Sequence, residues 1–240
     1  MQVLPYAQGT PEWLDARATV ATASNFKRIM TPATQKLSTQ AEDYAAELVA
    51  EKFCGIEREA WKLPTETADM QHGKRTEAEA RRWFQLERDV DVQEVGLCIH
   101  DNGRWGASPD GLIGEDSGLE LKCPRSSTQV RWLADGIVPV EHLPQIHGAL
   151  IVTGRQSWWF MSYVRGLPPL LLEVTPSDYT EKLRGYLEEF NAIYDRMADA
   201  IQARLRKHID AEIDRRGSQL DGKKDAGLKS FINPSTQSVA

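Results

Sequence analysis

Two short runs, Ser108-Pro109-Asp110-Gly111 and Leu119-Glu120-Leu121-Lys122-Cys123-Pro124, bracket Glu115-Asp116-Ser117-Gly118. Acidic and small residues clustered between apolar segments are turn chemistry, so the stretch predicts a hairpin that brings Asp110 beside Glu120. Alternate side chains of an extended strand share a face, which aligns Glu120 with Lys122 and turns Leu121 toward a core. Two neighbouring carboxylates repel unless a cation lies between them, and hard oxygen donors suit Mg²⁺ or Mn²⁺. A lysine ammonium two residues from such a ligand can orient a water or stabilise charge building on a phosphate. The chemistry implied is phosphodiester hydrolysis. An E-x-K triplet alone is common, and a surface hairpin with a Glu/Lys pair reads the same; Asp110 makes the set suggestive.

The surrounding elements must position these groups. Thr10-Pro11 opens a short helix to about Arg17, since a threonine cap and a first-turn proline satisfy orphan amides. Ser24 is expected to cap a second short helix through Met30. Helices follow over Thr39–Cys54, with Tyr44, Leu48 and Phe53 on one face and Gly55 as a stop, and over Thr67–Arg88. Val90–Ile99, Arg104–Ala107, Gly111–Ile113 and Leu119–Cys123 predict an antiparallel meander. Ser127–Ala134 and Glu141–Thr153 read as helices, and Ser157–Tyr163 and Leu170–Val174 as strands. From Asp178 a long helix presents Leu183, Tyr186, Leu187, Phe190, Tyr194, Met197, Ile201 and Leu205 on its packing face. The class is α/β: a central mixed β-sheet flanked by helices, plus a long C-terminal helix, with residues 1–216 as one domain and a Gly-, Ser- and Lys-rich flexible tail over 217–240.

Composition narrows the function. With 29 Lys+Arg against 35 Asp+Glu, the 240-residue chain carries a net charge of −6, which excludes a protein that coats nucleic acid through a broadly basic surface. It does not exclude DNA held in a local basic channel. Three cysteines with no C-x-x-C pair indicate neither a disulfide framework nor a zinc knuckle. His142 and His147 fall on different helical faces, so they read as structural or surface residues rather than a zinc pair. No apolar run approaches the roughly 18 residues of a membrane span, and the start lacks a secretory pattern, so no membrane partner and a cytoplasmic location are expected.

The P-D-x9-E-x-K spacing matches the P-D…(D/E)-x-K signature of metal-dependent nucleases. The wording S-P-D-G…G-L-E-L-K-C-P resembles the lambda-exonuclease, or YqaJ-type viral recombinase, family in particular. The resemblance extends from about Gln8 to Tyr163. Gln8-Gly9-Thr10-x-Glu12-Trp13-Leu14-x-x-Arg17 with Thr22-Ala23-Ser24 is similar to the family's opening signature. It implies that Arg17 and Ser24 hold the 5′-phosphate of a DNA end, and a guanidinium fork with a hydroxyl at a helix N-terminus is a physically apt anion site. His72-Gly73-Lys74-Arg75-Thr76-Glu77 resembles the family's G-x-x-x-E helix, which makes Glu77 a further carboxylate; on sequence alone Glu77, Glu79 and Glu87 read equally as exposed charges paired with Arg81 and Arg82. His142-Leu-Pro-Gln145-Ile-His147 is similar to the family's glutamine-bearing helix. Gln145 is assigned to steady the nucleophilic water or the phosphate, with His147 as its substitute, and a second family glutamine is replaced here by His147. Trp158-Trp159-Phe160-x-x-Tyr163 matches the aromatic strand, whose side chains fit sheet packing better than base stacking.

The resemblance implies a restriction-endonuclease-like core. It implies a site with two Mg²⁺ ions, Mn²⁺ substituting: Asp110 between them, Glu120 and the Leu121 carbonyl on the catalytic ion, Glu77 toward the second. Lys122 positions the water as electrostatic stabiliser or as base. The implied activity is 5′-to-3′ digestion of linear duplex DNA from phosphorylated ends, leaving 3′ single-stranded tails. A ring-shaped homotrimer with Lys74, Arg75 and Arg125 lining its channel, a single-strand annealing protein as partner, and a phage or prophage origin in a bacterial host are also implied. Two rivals stay open: a restriction-type endonuclease using the same carboxylates, and a non-catalytic DNA-end-binding module.

Overall fold

The computed structural model describes residues 1–55 and 68–217. The side chains of 68–75, Lys74 and Arg75 among them, lie outside that description, as does the expected tail from residue 218 on. Contacts cluster into two units, Met1–Met197 and Ala198–Ala240.

The first unit runs β1 (Gln2–Leu4), α1 (Pro11–Arg17), β2 (Ala21–Thr22), a 3₁₀ helix (Ala23–Arg28), α2 (Ala41–Cys54), α3 (Ala68–Arg88), β3 (Leu97–Ile99), β4 (Trp105–Ala107), β5 (Gly111–Ile113), β6 (Ser117–Lys122), α4 (Ser126–Asp135), a 3₁₀ turn (Val140–His142), α5 (Leu143–Thr153), β7 (Ser157–Ser162), β8 (Leu170–Val174) and the start of α6 (Asp178–Gly217). The expected mixed sheet is present as two four-stranded sheets, ordered β1-β3-β4-β2 and β5-β6-β7-β8. Each is mixed: β2 runs parallel to β4, and β6 parallel to β7, among otherwise antiparallel pairs. The expected meander is therefore divided between β4 and β5. Pro109 sits at the break, and a residue without an N–H cannot continue a ladder. Val90–Gln93 contributes one isolated bridge, Gln93 to Leu112, rather than a long strand.

The second sheet is covered on both faces, as alternation dictates. Leu119 and Leu121 of β6 and Met161 of β7 pack with Ala80 and Phe84 of α3. Trp158 and Phe160, the alternate residues of β7, enter the larger core with Phe26, Ile146, Leu150, Leu183, Leu187 and Phe190. Trp158 and Phe160 are fully buried, so the aromatic strand is core packing. Glu120 lies opposite Phe160 in the parallel register, on the face away from Leu119 and Leu121. The hairpin's far end is locked by Arg155, whose Nη1 donates to the carbonyls of Ile113 (3.2 Å), Gly114 (2.9 Å) and Ser117 (2.7 Å).

α5 is apolar almost all round and buried from Ile146 to Val152, Pro144 opening it and left-handed Gly154 closing it. Its Gly148 lets the 3₁₀ helix approach: a Cβ there would stand 2.4 Å from the Phe26 ring. In α2 the buried face is Ala41, Tyr44, Ala45, Leu48 and Val49, with Phe53 only half-buried. Thr10 caps α1, its hydroxyl accepting from the Trp13 amide at 3.3 Å. Ser24 caps nothing: Thr22 holds the cap position of a helix beginning at Ala23, with no side-chain cap bond. Of the apolar face expected on α6, Leu183, Leu187 and Phe190 are buried, whereas Ile201 and Leu205, in the second unit, are exposed.

Gly148→Ala should therefore lower stability by about 1–3 kcal/mol through overpacking against Phe26. Denaturant unfolding of the variant checks this; an unchanged midpoint would show that the 3₁₀ helix yields freely.

Candidate active site

One cavity, with a volume of about 210 Å³, gathers the residues singled out from the sequence: Arg17, Ser24, Glu77, Asp110, Glu120, Leu121, Lys122 and Gln145. Gln8, Trp13, Thr22, Ala23, Ala107, Ser108, Pro109 and Ala149 complete its wall. The lining comes from the segment before α1, α1 itself, the β2 turn, α3, the end of β4, the β5–β6 hairpin and α5, segments up to 141 residues apart between Gln8 and Ala149.

At the acidic end, the hairpin pairs Gly111 with Leu119, which sets Asp110 beside Glu120 and Leu121. Asp110 Oδ2 accepts from the Leu121 amide at 2.7 Å, and its own amide donates to the Leu119 carbonyl at 3.2 Å. Glu120 is 2% exposed and pairs with Lys122 across the strand face. Desolvation pushes the Asp110 carboxyl above its ordinary value, against the pull of Lys122, the Leu121 amide and Arg81. Burial, reinforced by the charges of Asp110 and Glu77, lifts Glu120 to about 7 despite Lys122. Burial works against a charged Lys122, yet Glu120, Asp110 and Glu77 together outweigh it and raise its pKa, so the side chain stands as an ammonium.

Glu77 lies on α3, half-buried, one helical turn before Arg81. Glu79 and Arg81 of the same helix both reach to other elements. Glu79 accepts from Tyr163 Oη at 2.7 Å and from Nε and Nη2 of Arg165, whereas Arg81 donates to the Asp110 carbonyl at 3.1 Å and pairs with Glu94 at 3.0 Å. The long reach to other elements overrides the weaker interactions three or four residues apart on an exposed helix.

The donor set fits a hard divalent cation in kind. It is all oxygen, and two of its carboxylates are desolvated side by side, which raises the free energy of the anions until positive charge arrives. Among the described residues no three acidic, imidazole or thiol groups converge into a ready metal cage. Glu120 leans on Lys122 and Asp110 on the Leu121 amide instead.

Arg17, Thr22 and Ser24 line the same cavity. Arg17 Nη2 donates to Thr22 Oγ1 at 3.2 Å, and its guanidinium lies 4.3 Å from the Trp13 ring centroid. Thr22 Oγ1 is 3.3 Å from Ser24 Oγ and accepts from Asn25 Nδ2 at 3.3 Å, while the Thr22 amide donates to Tyr44 Oη at 3.1 Å. Trp13 is fixed in turn by donating Nε1 to the Gly96 carbonyl at 2.9 Å and to Ser108 Oγ at 3.2 Å. Burial lowers the Arg17 pKa, with Tyr44 and Glu51 working the other way, and guanidinium remains the charged form.

Gln145 and His147 part company. Gln145 is the half-buried residue of α5 that reaches the cavity. His147 points to the start of α6, where Nδ1 lies 2.8 Å from Thr180 Oγ1 and its ring stacks 4.7 Å from Tyr179. Thr180 Oγ1 also accepts from the Ser177 amide, so it has its hydroxyl proton to give to Nδ1. The substitute assignment for His147 is thus not what the structure brings to the cavity. His142 stacks on Phe160 at 5.7 Å and is likewise a packing residue. Arg125 is exposed at the start of α4. Gln8, Thr22 and Ser108 were inside the quoted motifs without a role; only the fold shows that they line the same wall.

An α/β chain with helices over both faces of a mixed sheet, whose hairpin carries Asp110, Glu120 and Lys122 in a cavity shared with Glu77 of α3 and with Arg17, has the architecture of the exonuclease-type nucleases. The model of the YqaJ-like viral recombinase domain matches residues 12–156, and the chain belongs to this family. It is similar to LHK-Exo, an alkaline exonuclease from Laribacter hongkongensis: 29% identity over 82% of this chain and 100% of that one, TM-score 0.66. The crystal structure of LHK-Exo in complex with dAMP gives 28% identity, with 82% and 99% covered, and TM-score 0.71. A phage-related exonuclease from Haemophilus somnus 129PT shares the fold at TM-score 0.53, with 11% identity over 76% of this chain and 96% of that one. No curated protein matches the sequence. Among the described residues no helix is long and apolar enough to cross a membrane.

Burial depresses the His147 pKa from its ordinary 6.5 to about 4. A histidine held neutral in this way gives its stabilisation in full above about pH 6.5 and loses it as pH falls toward 4, because the unfolded chain binds the proton first. His147→Gln should therefore show a smaller loss of unfolding free energy between pH 7 and pH 4.5 than the parent. Parallel pH profiles would exclude the role.

Proposed function

We propose that this protein is a Mg²⁺-dependent 5′-to-3′ exonuclease that digests linear duplex DNA from 5′-phosphorylated ends. The carrying observation is that one cavity is lined both by Glu77, Asp110, Glu120 and Lys122 and by Arg17, Thr22 and Ser24. A free 5′-phosphate and the first phosphodiester of the same strand are the two groups such a cavity would take together. LHK-Exo, 28% identical and solved with dAMP, supports a deoxynucleotide-handling site in this fold.

Glu77, Asp110, Glu120 and the Leu121 carbonyl would hold the divalent ions, two in the family pattern, with Mn²⁺ able to replace Mg²⁺. When bound, the ions supply a lower pKa for the attacking water and neutralise charge on the phosphate. Lys122, kept as an ammonium by the three carboxylates around it, donates to the water or the phosphate oxygen and stabilises developing negative charge rather than accepting a proton. Gln145, neutral and half-buried, can donate and accept at once, which suits it to orient the water. Arg17 and Ser24 hold the terminal phosphate and so fix which bond reaches the acids. The product is a 3′ single-stranded tail, the substrate of a strand-annealing partner, and a trimeric ring with Arg125 facing its channel would retain the duplex between cuts.

Lys122→Ala and Glu120→Ala should each reduce Mg²⁺-dependent digestion of a 5′-phosphorylated duplex by at least about a hundredfold with folding intact. Turnover retained in both overturns the assignment. Arg17→Ala should slow digestion of 5′-phosphorylated ends far more than of 5′-hydroxyl ends; equal slowing would remove the phosphate role. Cleavage of a closed circular plasmid would favour a restriction-type endonuclease, and DNA binding without product even in Mn²⁺ would favour an end-binding module.

A further inference from the structure

Arg81 is 15% exposed and belongs to neither motif, yet it makes two directed contacts. Its Nε donates to the Asp110 main-chain carbonyl at 3.1 Å, and its Nη1 pairs with Glu94 Oε1 at 3.0 Å. It follows Glu77 by four positions on α3, so the two side chains leave the same helical face. On the other side of Asp110, Gln8 Nε2 donates to the Pro109 carbonyl at 3.2 Å. Both peptide carbonyls that flank the Asp110 backbone are thus held by side chains from distant segments, and one of those segments carries a third carboxylate of the cavity. The Asp110 amide and carboxylate are already committed to the Leu119 carbonyl and the Leu121 amide. The Arg81 bond ties the start of β5 to the helix that presents Glu77.

We infer that Arg81 is a positioning residue that sets the separation of Glu77 from Asp110, and with it the affinity of the acidic end for a divalent cation. The inference rests on the metal-dependent reading of the cavity. A guanidinium suits the task because it reaches two acceptors in a fixed plane, and a charge-assisted bond to a carbonyl survives in a partly desolvated site better than a neutral one. Supporting groups behind metal ligands typically change metal affinity by about 10–100-fold when removed. Glu94 is 70% exposed, so its arm steadies the guanidinium from the rim and should matter less.

The test is Mn²⁺ binding to the full chain without DNA, by titration calorimetry, on the parent, Arg81→Met, Arg81→Lys and Glu94→Gln. Arg81→Met should weaken Mn²⁺ binding by roughly tenfold or more. Its exonuclease activity should recover as Mn²⁺ is raised, with KM for 5′-phosphorylated duplex unchanged, since the Arg17 pocket is untouched. Arg81→Lys, which keeps the charge and loses the fork, should fall between Met and the parent, and Glu94→Gln should stay near the parent. Mn²⁺ affinity equal to the parent in both Arg81 variants overturns the inference. Should Arg81→Met fail to fold, Arg81→Lys carries the test, and parental affinity there overturns it equally. A parent chain that takes up no Mn²⁺ overturns the metal reading itself, whatever the variants do.

Discussion

The fold is organised around an electrostatic conflict: Asp110 and Glu120 are held on adjacent strands, desolvated, with Glu77 near and one ammonium among them. Carboxylates in such a place resist ionisation, and Glu120 is lifted to about 7 for that reason. Left unsupported, the hairpin would relieve the repulsion by splaying. It is prevented from doing so by the hydrogen-bonded register of β5 on β6, by the Leu121 amide on Asp110, by Lys122 on Glu120 and by Arg155 at the turn. The supports are mostly peptide groups and paired cations, which fix the carboxylates without satisfying their whole demand for positive charge. A site kept short of cation in this manner is one that a divalent ion can complete.

The cost of that arrangement is borne by the layers behind it. β6 can present Glu120 and Lys122 on one face only because Leu119 and Leu121 are sealed on the other by Phe84 and Met161. A slip of one residue would exchange the two sets and bury both charges against α3. The parallel pairing with β7 fixes the register over six residues, and Trp158 fills the space that Gly118 leaves beside it. On the opposite side α5 brings Gln145 to the cavity while Gly148 admits the 3₁₀ helix, so one helix places a polar side chain and sets how closely the segment of Ser24 approaches. Packing and chemistry are therefore not separable here: the core residues decide which carboxylates meet.

Legibility in the sequence followed the range of the interactions. The hairpin was readable because its cause is local, a turn cluster between two strands with alternating side chains. Thr10 capping α1 and the aromatic core strand were readable for the same reason. Ser24 was misread as a cap because serine before a helical run is a good local rule; its hydroxyl instead meets Thr22, a partner set by how the β2 turn folds over Arg17. The division into two sheets was missed, although Pro109 was in plain view, since a proline marks a break without saying which strands then pair. His147 could not be told from Gln145 by helical spacing alone, and the fact that decides it, Thr180 some thirty residues on, belongs to another helix. Glu79 and Arg81 looked like partners on one surface and proved to reach away from each other, to Arg165 and to Asp110.

The net charge of −6 and the proposed polyanionic substrate are reconciled at the scale of the cavity rather than the molecule. On the proposed reading a terminal phosphate is attracted to Arg17, whereas the following phosphodiester meets three carboxylates and a single lysine. That second approach is unfavourable until a cation lies between like charges. On the proposed reading, the duplex end can thus be held before the acids are ready to act on it, and hydrolysis waits on the ion. On that reading, discrimination for a 5′-phosphate and dependence on a divalent metal have one source: residues of opposite charge line a single cavity.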